Sequence, residues 1–193
     1  VLERPGSYDG TMPRLILLNG PPGCGKSTLA RMFAEEHPLT LNLDIDRVRD
    51  LIGCWREHLE TAGLLARSMA LAGARVHLCA GHDVVVPQLL ARPTFIEQAA
   101  ALAAELGSAF HEVVLVDSKE NAVHRFLDRS RTSAERGHRD AGELLDRQGG
   151  LVELEAMYDR LMALVATRPA TKVVRTRAGE IEQAYRDFLA VVA

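Results

Sequence analysis

Cysteine is sparse in this chain of 193 residues. Cys24, Cys54 and Cys79 are scattered and odd in number, which argues against a disulfide or cysteine–metal framework and fits reduced thiols in the cytoplasm. Charge of one sign is also lacking. The 23 Lys and Arg oppose 26 Asp and Glu, for a formal charge of −3. No basic field is therefore present to draw in long nucleic acid or an anionic membrane. No apolar run reaches the ~20 residues that span a bilayer. The opening VLERPGSYDGT has no apolar segment of the signal-peptide kind. Residues 1–12 read as a disordered leader, upstream sequence or an expression remnant, with Met12 a candidate natural start. Aromatic residues are few, and Trp55 is the single tryptophan.

What is present is apolar and regularly spaced. A hydrophobic content of 47% supports one cored domain, residues 13–193. Strand candidates at Arg14–Leu18, Thr40–Leu43, Val84–Val86, Val113–Val116 and Lys172–Val174 alternate with amphipathic stretches. Those stretches are His58–Ala80, Phe95–Leu106, Ala122–Asp128, Leu144–Ala166 and Ile181–Val191. Thr94 and Glu97 have capping-box spacing. Apolar strands separated by helices predict an α/β fold with a parallel sheet covered on both faces. Ligands of such sheets bind beyond the carboxyl ends of the strands. One window departs from this pattern. RSRTSAERGHRDAG, from Arg129 to Gly142, is polar and arginine-rich and reads as a surface loop or lid, about 129–147.

The sharpest motif is GPPGCGKS, Gly20–Ser27, between an apolar strand and a helical pattern. It matches G-x-x-x-x-G-K-[ST], the loop that cradles phosphates. Its backbone N–H groups and the following helix N-terminus favour an anion. Gly20, Gly23, Cys24, Gly25, Lys26, Ser27 and Thr28 are the nucleotide-binding candidates. Lys26 is expected at the β- and γ-phosphates and Ser27 at Mg²⁺. The Cys24 side chain reads as a small filler.

The second strand runs into LDIDRVRD, which sets Asp44 and Asp46 at the same sheet edge. A carboxylate there can orient and deprotonate an acceptor hydroxyl. Asp46 also reads as a helix N-cap. Arg49, one turn on, is placed to hold a polar group of the acceptor. Asp44 is the rival base, sharing a strand face with Asp46, or a partner of Mg²⁺ through water. Among the arginines, Arg125, Arg129 and Arg136 are candidates for phosphate contact. Trp55 is a candidate stacking surface for substrate, although packing explains it as well. TRAGEIEQAY near the end of the chain either borders the nucleotide base or is a plain strand–helix connection.

These residues resemble the small P-loop kinases of the zeta-toxin, chloramphenicol phosphotransferase, gluconate kinase and polynucleotide kinase grouping, often called AAA-type ATP-binding proteins. The resemblance spans about Arg14 to Val192. It rests on the phosphate loop, on Asp46 with Arg49, on the long Leu64–Ala80 helix, and on VVLVDSKENAVHRFLDR ahead of the arginine-rich window. It implies a five-stranded parallel sheet in the order 2-3-1-4-5, ATP with Mg²⁺ as donor and a hydroxyl as acceptor. The family's catalytic carboxylate falls on Asp46, its D-x-x-R arginine on Arg49 and its helix arginine on Arg125. Arg129 corresponds to an adenine-side or lid arginine. Many relatives end strand three in VVVD, whereas this chain reads VVVPQ, so Gln88 is left to meet metal-bound water or substrate. No N-K-x-D guanine motif occurs, which favours ATP over GTP.

The expected activity is therefore an ATP-dependent kinase acting on a small-molecule hydroxyl of antibiotic, sugar or nucleoside type. Two alternatives stand beside it: a kinase for a polynucleotide 5′-hydroxyl or a nucleotide sugar, and a nucleotide-binding regulatory module without transfer. Oligomeric state does not follow from the sequence.

Overall fold

The computed structural model describes residues 12–132, 142, 145 and 149–193, without the side chains of Arg129, Arg131 and Thr132. Five strands form one parallel sheet: β1 (Arg14–Asn19), β2 (Leu41–Asn42), β3 (Val84–Pro87), β4 (Ala109–Val116) and β5 (Lys172–Arg175). Their order is β2-β3-β1-β4-β5, as the resemblance implied. Leu15 to Leu18 register with Val84 to Pro87 on one side, and Leu18 pairs with Val113 on the other.

Helices of the described residues are α1 (Lys26–Glu36), α2 (Ile45–Asp50), α3 (Leu59–Cys79), α4 (Pro93–Leu106), α5 (Lys119–Thr132), α6 (Gly150–Ala166) and α7 (Ile181–Val192), with a 3₁₀ turn at Trp55–Glu57. Alternation along the central strands divides the core into two layers. Leu15, Leu17, Val84 and Val86 meet α3 and α4 on one face. Ile16, Leu18, Val85, Val113 and Leu115 meet α1 and α7 on the other. Phe33 and Phe188 are fully buried in the second layer, their rings edge-on at 5.7 Å. Truncating either to alanine costs about 3–5 kcal/mol. Helix α3 buries Ala62, Ala66, Ala70, Ala74 and Leu78. This four-residue spacing lines up one narrow face, and small side chains on that face let the helix lie close to its neighbours.

Several boundaries differ from the sequence expectation. Strand β2 spans two residues rather than four, because Asp44 has already turned out of the sheet to cap α2. Helix α5 runs four residues further than expected at its C-terminal end and three at its start. Helix α4 has no capping box: Arg92 is the N-cap without a side-chain bond, and Pro93 opens the helix. Proline presets the helical φ and needs no N–H partner at that position, so Thr94 sits inside the first turn. Asp83 accepts from Arg14 N, Nε and Nη2 at 2.7, 2.9 and 2.6 Å, locking the amino end of the sheet. Residues 1–11 and most of the arginine-rich window, including Arg136, lie outside the described residues.

Candidate active site

The phosphate loop leaves β1 at its carboxyl end and returns as α1. Gly20 (φ 150°) and Gly23 (φ 82°) adopt backbone that other residues rarely take. Space also requires glycine at both. A Cβ on Gly20 would stand 2.7 Å from Cys24 Sγ and from the Leu115 carbonyl. A Cβ on Gly23 would stand 2.9 Å from Phe126 N and 3.0 Å from the Ala122 carbonyl. The loop is thus seated on β4 and α5. Cys24 is buried within this seat, in keeping with a filler role.

Lys26 Nζ bends back over the loop and donates to the carbonyls of Gly20 (2.9 Å) and Pro21 (2.8 Å). Gly25 caps α1 with no side-chain bond, and the first turn holds no acidic residue. Neither the N-cap nor the first turn of α1 therefore sets a carboxylate against its positive end. Ser27 is exposed there and Thr28 half-buried.

A second wall stands one strand away. Asn19, 1% exposed, accepts from Gly20 N and Leu90 N at 2.8 Å each and donates to the Leu90 carbonyl at 2.9 Å. Gln88 N donates to the Leu18 carbonyl at 3.2 Å. The exit of β3 is thereby fixed against the phosphate loop. The Gln88 side-chain Oε1 is buried with no hydrogen-bond partner.

Across β3 lies α2. Its N-cap is Asp44, not Asp46. The Asp44 carboxylate accepts from Asp46 N at 2.9 Å and Arg47 N at 3.4 Å. Burial, and then the charge of Asp46, push the Asp44 carboxyl above its ordinary pKa. The expectation that both aspartates share a strand face is also corrected, since Asp44 is the cap and Asp46 stands in the first helical turn. Asp46 is 56% exposed and pairs with Arg49 at 3.0 Å. The Arg49 guanidinium lies 4.2 Å from the centre of the Trp55 ring, and Arg56 lies 4.5 Å from it. Trp55 is 5% exposed, so its ring packs under arginine and offers little surface to a substrate.

The third wall is the exit of β4. Asp117, 6% exposed, accepts from Ser118 N (2.7 Å) and Asn121 Nδ2 (3.1 Å) and forms an ion pair with Arg125 Nη2 that lacks hydrogen-bond angles. Its carbonyl accepts from Tyr158 Oη at 2.8 Å. Arg125 therefore stands beside the part of α5 on which Gly23 rests. Arg129 continues that helix, and its side chain lies outside the described residues. The connection after β5 returns to the loop, because a Cβ on Gly25 would touch Ile181 Cδ1 at 3.5 Å.

Lys26, Asp44, Asp46, Arg49, Gln88 and Arg125 thus belong to elements meeting at one sheet edge. Asn19 and Asp117 escaped the sequence reading. Each is a polar residue ending an apolar strand (LILLN and VVLVD), a signal available in the sequence.

With this geometry in place, residues 15–153 match the family described as AAA domain. The chain belongs to the AAA domain family. Solved structures with the same fold include a gluconokinase from Sinorhizobium meliloti, 18% identical, with a TM-score of 0.55, 94% of this chain and 92% of that one covered. The tunicamycin resistance protein of Deinococcus radiodurans is 15% identical, with a TM-score of 0.59 and coverage of 92% and 94%. A chain of the Pnkp1/Rnl/Hen1 RNA repair complex is 17% identical, with a TM-score of 0.63. The match takes in 86% of this chain but half of that one. Comparison with curated proteins gave no match. The AAA domain family and these neighbours agree with the resemblance to small P-loop kinases. Among the described residues, no helix is long and apolar enough to cross a membrane.

Proposed function

We propose that the protein is an ATP-dependent kinase that moves the γ-phosphate to a hydroxyl of a small molecule. One observation carries this reading. Lys26 is held on loop carbonyls at the uncapped start of α1, and an exposed carboxylate, Asp46, stands at the same sheet edge on the far side of β3.

The residues fit a nucleotide with Mg²⁺. Carbonyl partners release an ammonium to a phosphate more readily than a carboxylate would. Ser27 is open on the first turn. Among the described residues, no group of three His, Cys, Asp or Glu is arranged to hold a metal alone. That suits Mg²⁺, which commonly takes one or two protein ligands and completes its shell with phosphate and water. When bound, Mg²⁺ supplies charge neutralisation at the phosphates. Ser27 would hold it, with Asp44 reaching it through water.

Asp46 takes the proton of the acceptor hydroxyl as that oxygen bonds to the γ-phosphorus and the bond from phosphorus to ADP breaks. Arg49 keeps the Asp46 carboxylate in place. Lys26 and the amides of the loop stabilise the charge on the transferring group. Arg125, with Arg129 and Arg136, is the proposed source of further cationic contact. Calorimetric titration with Mg·ATP tests the reading. Folded Lys26→Ala should bind at least tenfold more weakly than the parent. Equal affinity would remove the proposal.

A further inference from the structure

Apart from its buried alanine face, α3 carries a second apolar row that is open to solvent. Leu64, Leu65, Met69 and Val76 are 60%, 50%, 48% and 55% exposed. They make up four of the ten large apolar side chains that stand exposed among the described residues. Scattered exposed apolar residues are ordinary, whereas several gathered on one element mark a surface that meets something. Charge is missing from the same helix. Thr61 to Leu78, TAGLLARSMALAGARVHL, holds no Asp or Glu in a chain that is 25% charged. Its two arginines are engaged within the chain. Arg67 Nη1 donates to the Gly63 carbonyl at 3.0 Å, and Arg75 makes a two-pronged pair with Glu105 at 2.6 Å on each prong.

The spacing indicates what this face meets. Leu65, Met69, Ala72 and Val76, all exposed, are separated by four, three and four positions. That alternation is the seam of two helices packed side by side. At 3.6 residues per turn the four point within about 60° of one another. The row has the same spacing read from either end. A second α3 lying antiparallel across a two-fold axis therefore repeats it, with Leu65 facing Val76 and Met69 facing Ala72. A two-fold interface requires this kind of self-complementarity. Size and charge agree with it. Long, flexible Met69 falls on small Ala72, which also lines a groove of about 420 Å³ between α3 and α4, together with Leu71, Ala101 and Leu102. Arg75 falls opposite Ala66, so no like charges oppose each other.

We propose that α3 is the interface of a homodimer, with a second copy of this chain packed antiparallel along Leu65–Val76. The row from Thr61 to Val76 rises about 22 Å along the helix axis. One such face with its adjoining groove buries roughly 400–600 Å² per copy, the low end of specific interfaces. The expected dissociation constant is about 1–100 μM. The pairing stands apart from the kinase reading, since none of these residues belongs to the proposed active site.

Sedimentation equilibrium of the full chain from about 1 to 300 μM tests the pairing. The mass should rise with concentration from the 21.1 kDa of one chain towards twice that value. Met69→Glu should weaken the dimer roughly tenfold or more, and Met69→Ala should act in the same direction with a milder change. Leu65→Glu should weaken it as well. Adding Val76→Lys to Leu65→Glu should recover part of the loss, because these two positions face each other across the axis. All are exposed sites, so the variants should melt with the parent at a concentration where both are monomers. A parent that stays monomeric to the top of the range overturns the proposal. So does a dimer of parental strength in the folded Met69 or Leu65 variants, or a loss in Leu65→Glu that Val76→Lys does not recover. Co-sedimentation of the monomer with phosphatidylcholine–phosphatidylglycerol vesicles, lost in Met69→Glu, would give the face to a membrane and overturn it too.

Discussion

Asn19 and Leu90 hold each other through two hydrogen bonds across 71 positions of sequence, Nδ2 to the Leu90 carbonyl at 2.9 Å and Leu90 N to Oδ1 at 2.8 Å. The same Oδ1 accepts from Gly20 N, the first amide of the phosphate loop. The phosphate loop and the exit of β3 are joined through one buried amide. Asn19→Leu would strand two N–H groups and a carbonyl. It should destabilise the protein by about 2–4 kcal/mol and lower the melting temperature by roughly 5–10 °C. Thermal unfolding followed by circular dichroism checks this; an unchanged midpoint would show that the clamp is dispensable.

The two aspartates of α2 should separate by role. Asp46→Asn is nearly isosteric and leaves the cap intact, so it should spare ATP binding and cut transfer by about 10²–10⁴-fold. Asp44→Asn still accepts from Asp46 N and Arg47 N, while Asp44→Ala forfeits the cap and about 1 kcal/mol. Transfer rates and urea unfolding of the three variants distinguish these outcomes. Wild-type transfer in Asp46→Asn with transfer lost in Asp44→Asn would reverse the assignment.

Acidity gives an independent check on Asp44. Burial and Asp46 raise its pKa in the folded chain, so proton binding favours the folded state. That contribution is complete below the ordinary value of 3.8 and is lost as pH rises through the elevated folded value. Asp44→Asn never bears the cost of ionising there. Its stability relative to the parent should therefore climb as pH rises from below 3.8 through the elevated folded value, as read from urea titrations at each pH. A difference that stays constant across that range would contradict the burial of this carboxylate.

On the proposed reading, Trp55 bears on the chemistry through Arg49, whose guanidinium lies on its ring. Trp55→Leu removes the ring beneath Arg49 and Arg56, contacts worth about 0.5–1 kcal/mol each at such sites. The expected result is a raised KM for the acceptor with an unchanged KM for ATP, partly restored in Trp55→Phe. Steady-state kinetics read this, and a rise in the KM for ATP instead would move Trp55 to the nucleotide side.

Much of the fold was legible because apolar strands announce themselves as LILLN, VVV and VVLV, and the phosphate loop has a spacing that few other structures need. Asp44 and Asp46 show where such legibility stops. Both are aspartate, which suits an N-cap, and only the backbone, extended at Asp44 (φ −80°, ψ 113°) and helical after it, decides between them. The capping box at Thr94 failed because Pro93 imposed its own helix start. The grip of Asn19 on Leu90 and the laying of Arg49 on Trp55 depend on tertiary approach, which no local pattern encodes.

The fate of the γ-phosphate tests the central claim most directly. Phosphorus NMR of Mg·ATP with the protein and pooled hydroxyl compounds should show a new phosphate monoester growing as ADP appears, absent with Lys26→Ala and strongly slowed with Asp46→Asn. Inorganic phosphate as the sole product, or ATP left intact with every acceptor while still bound, would contradict a kinase.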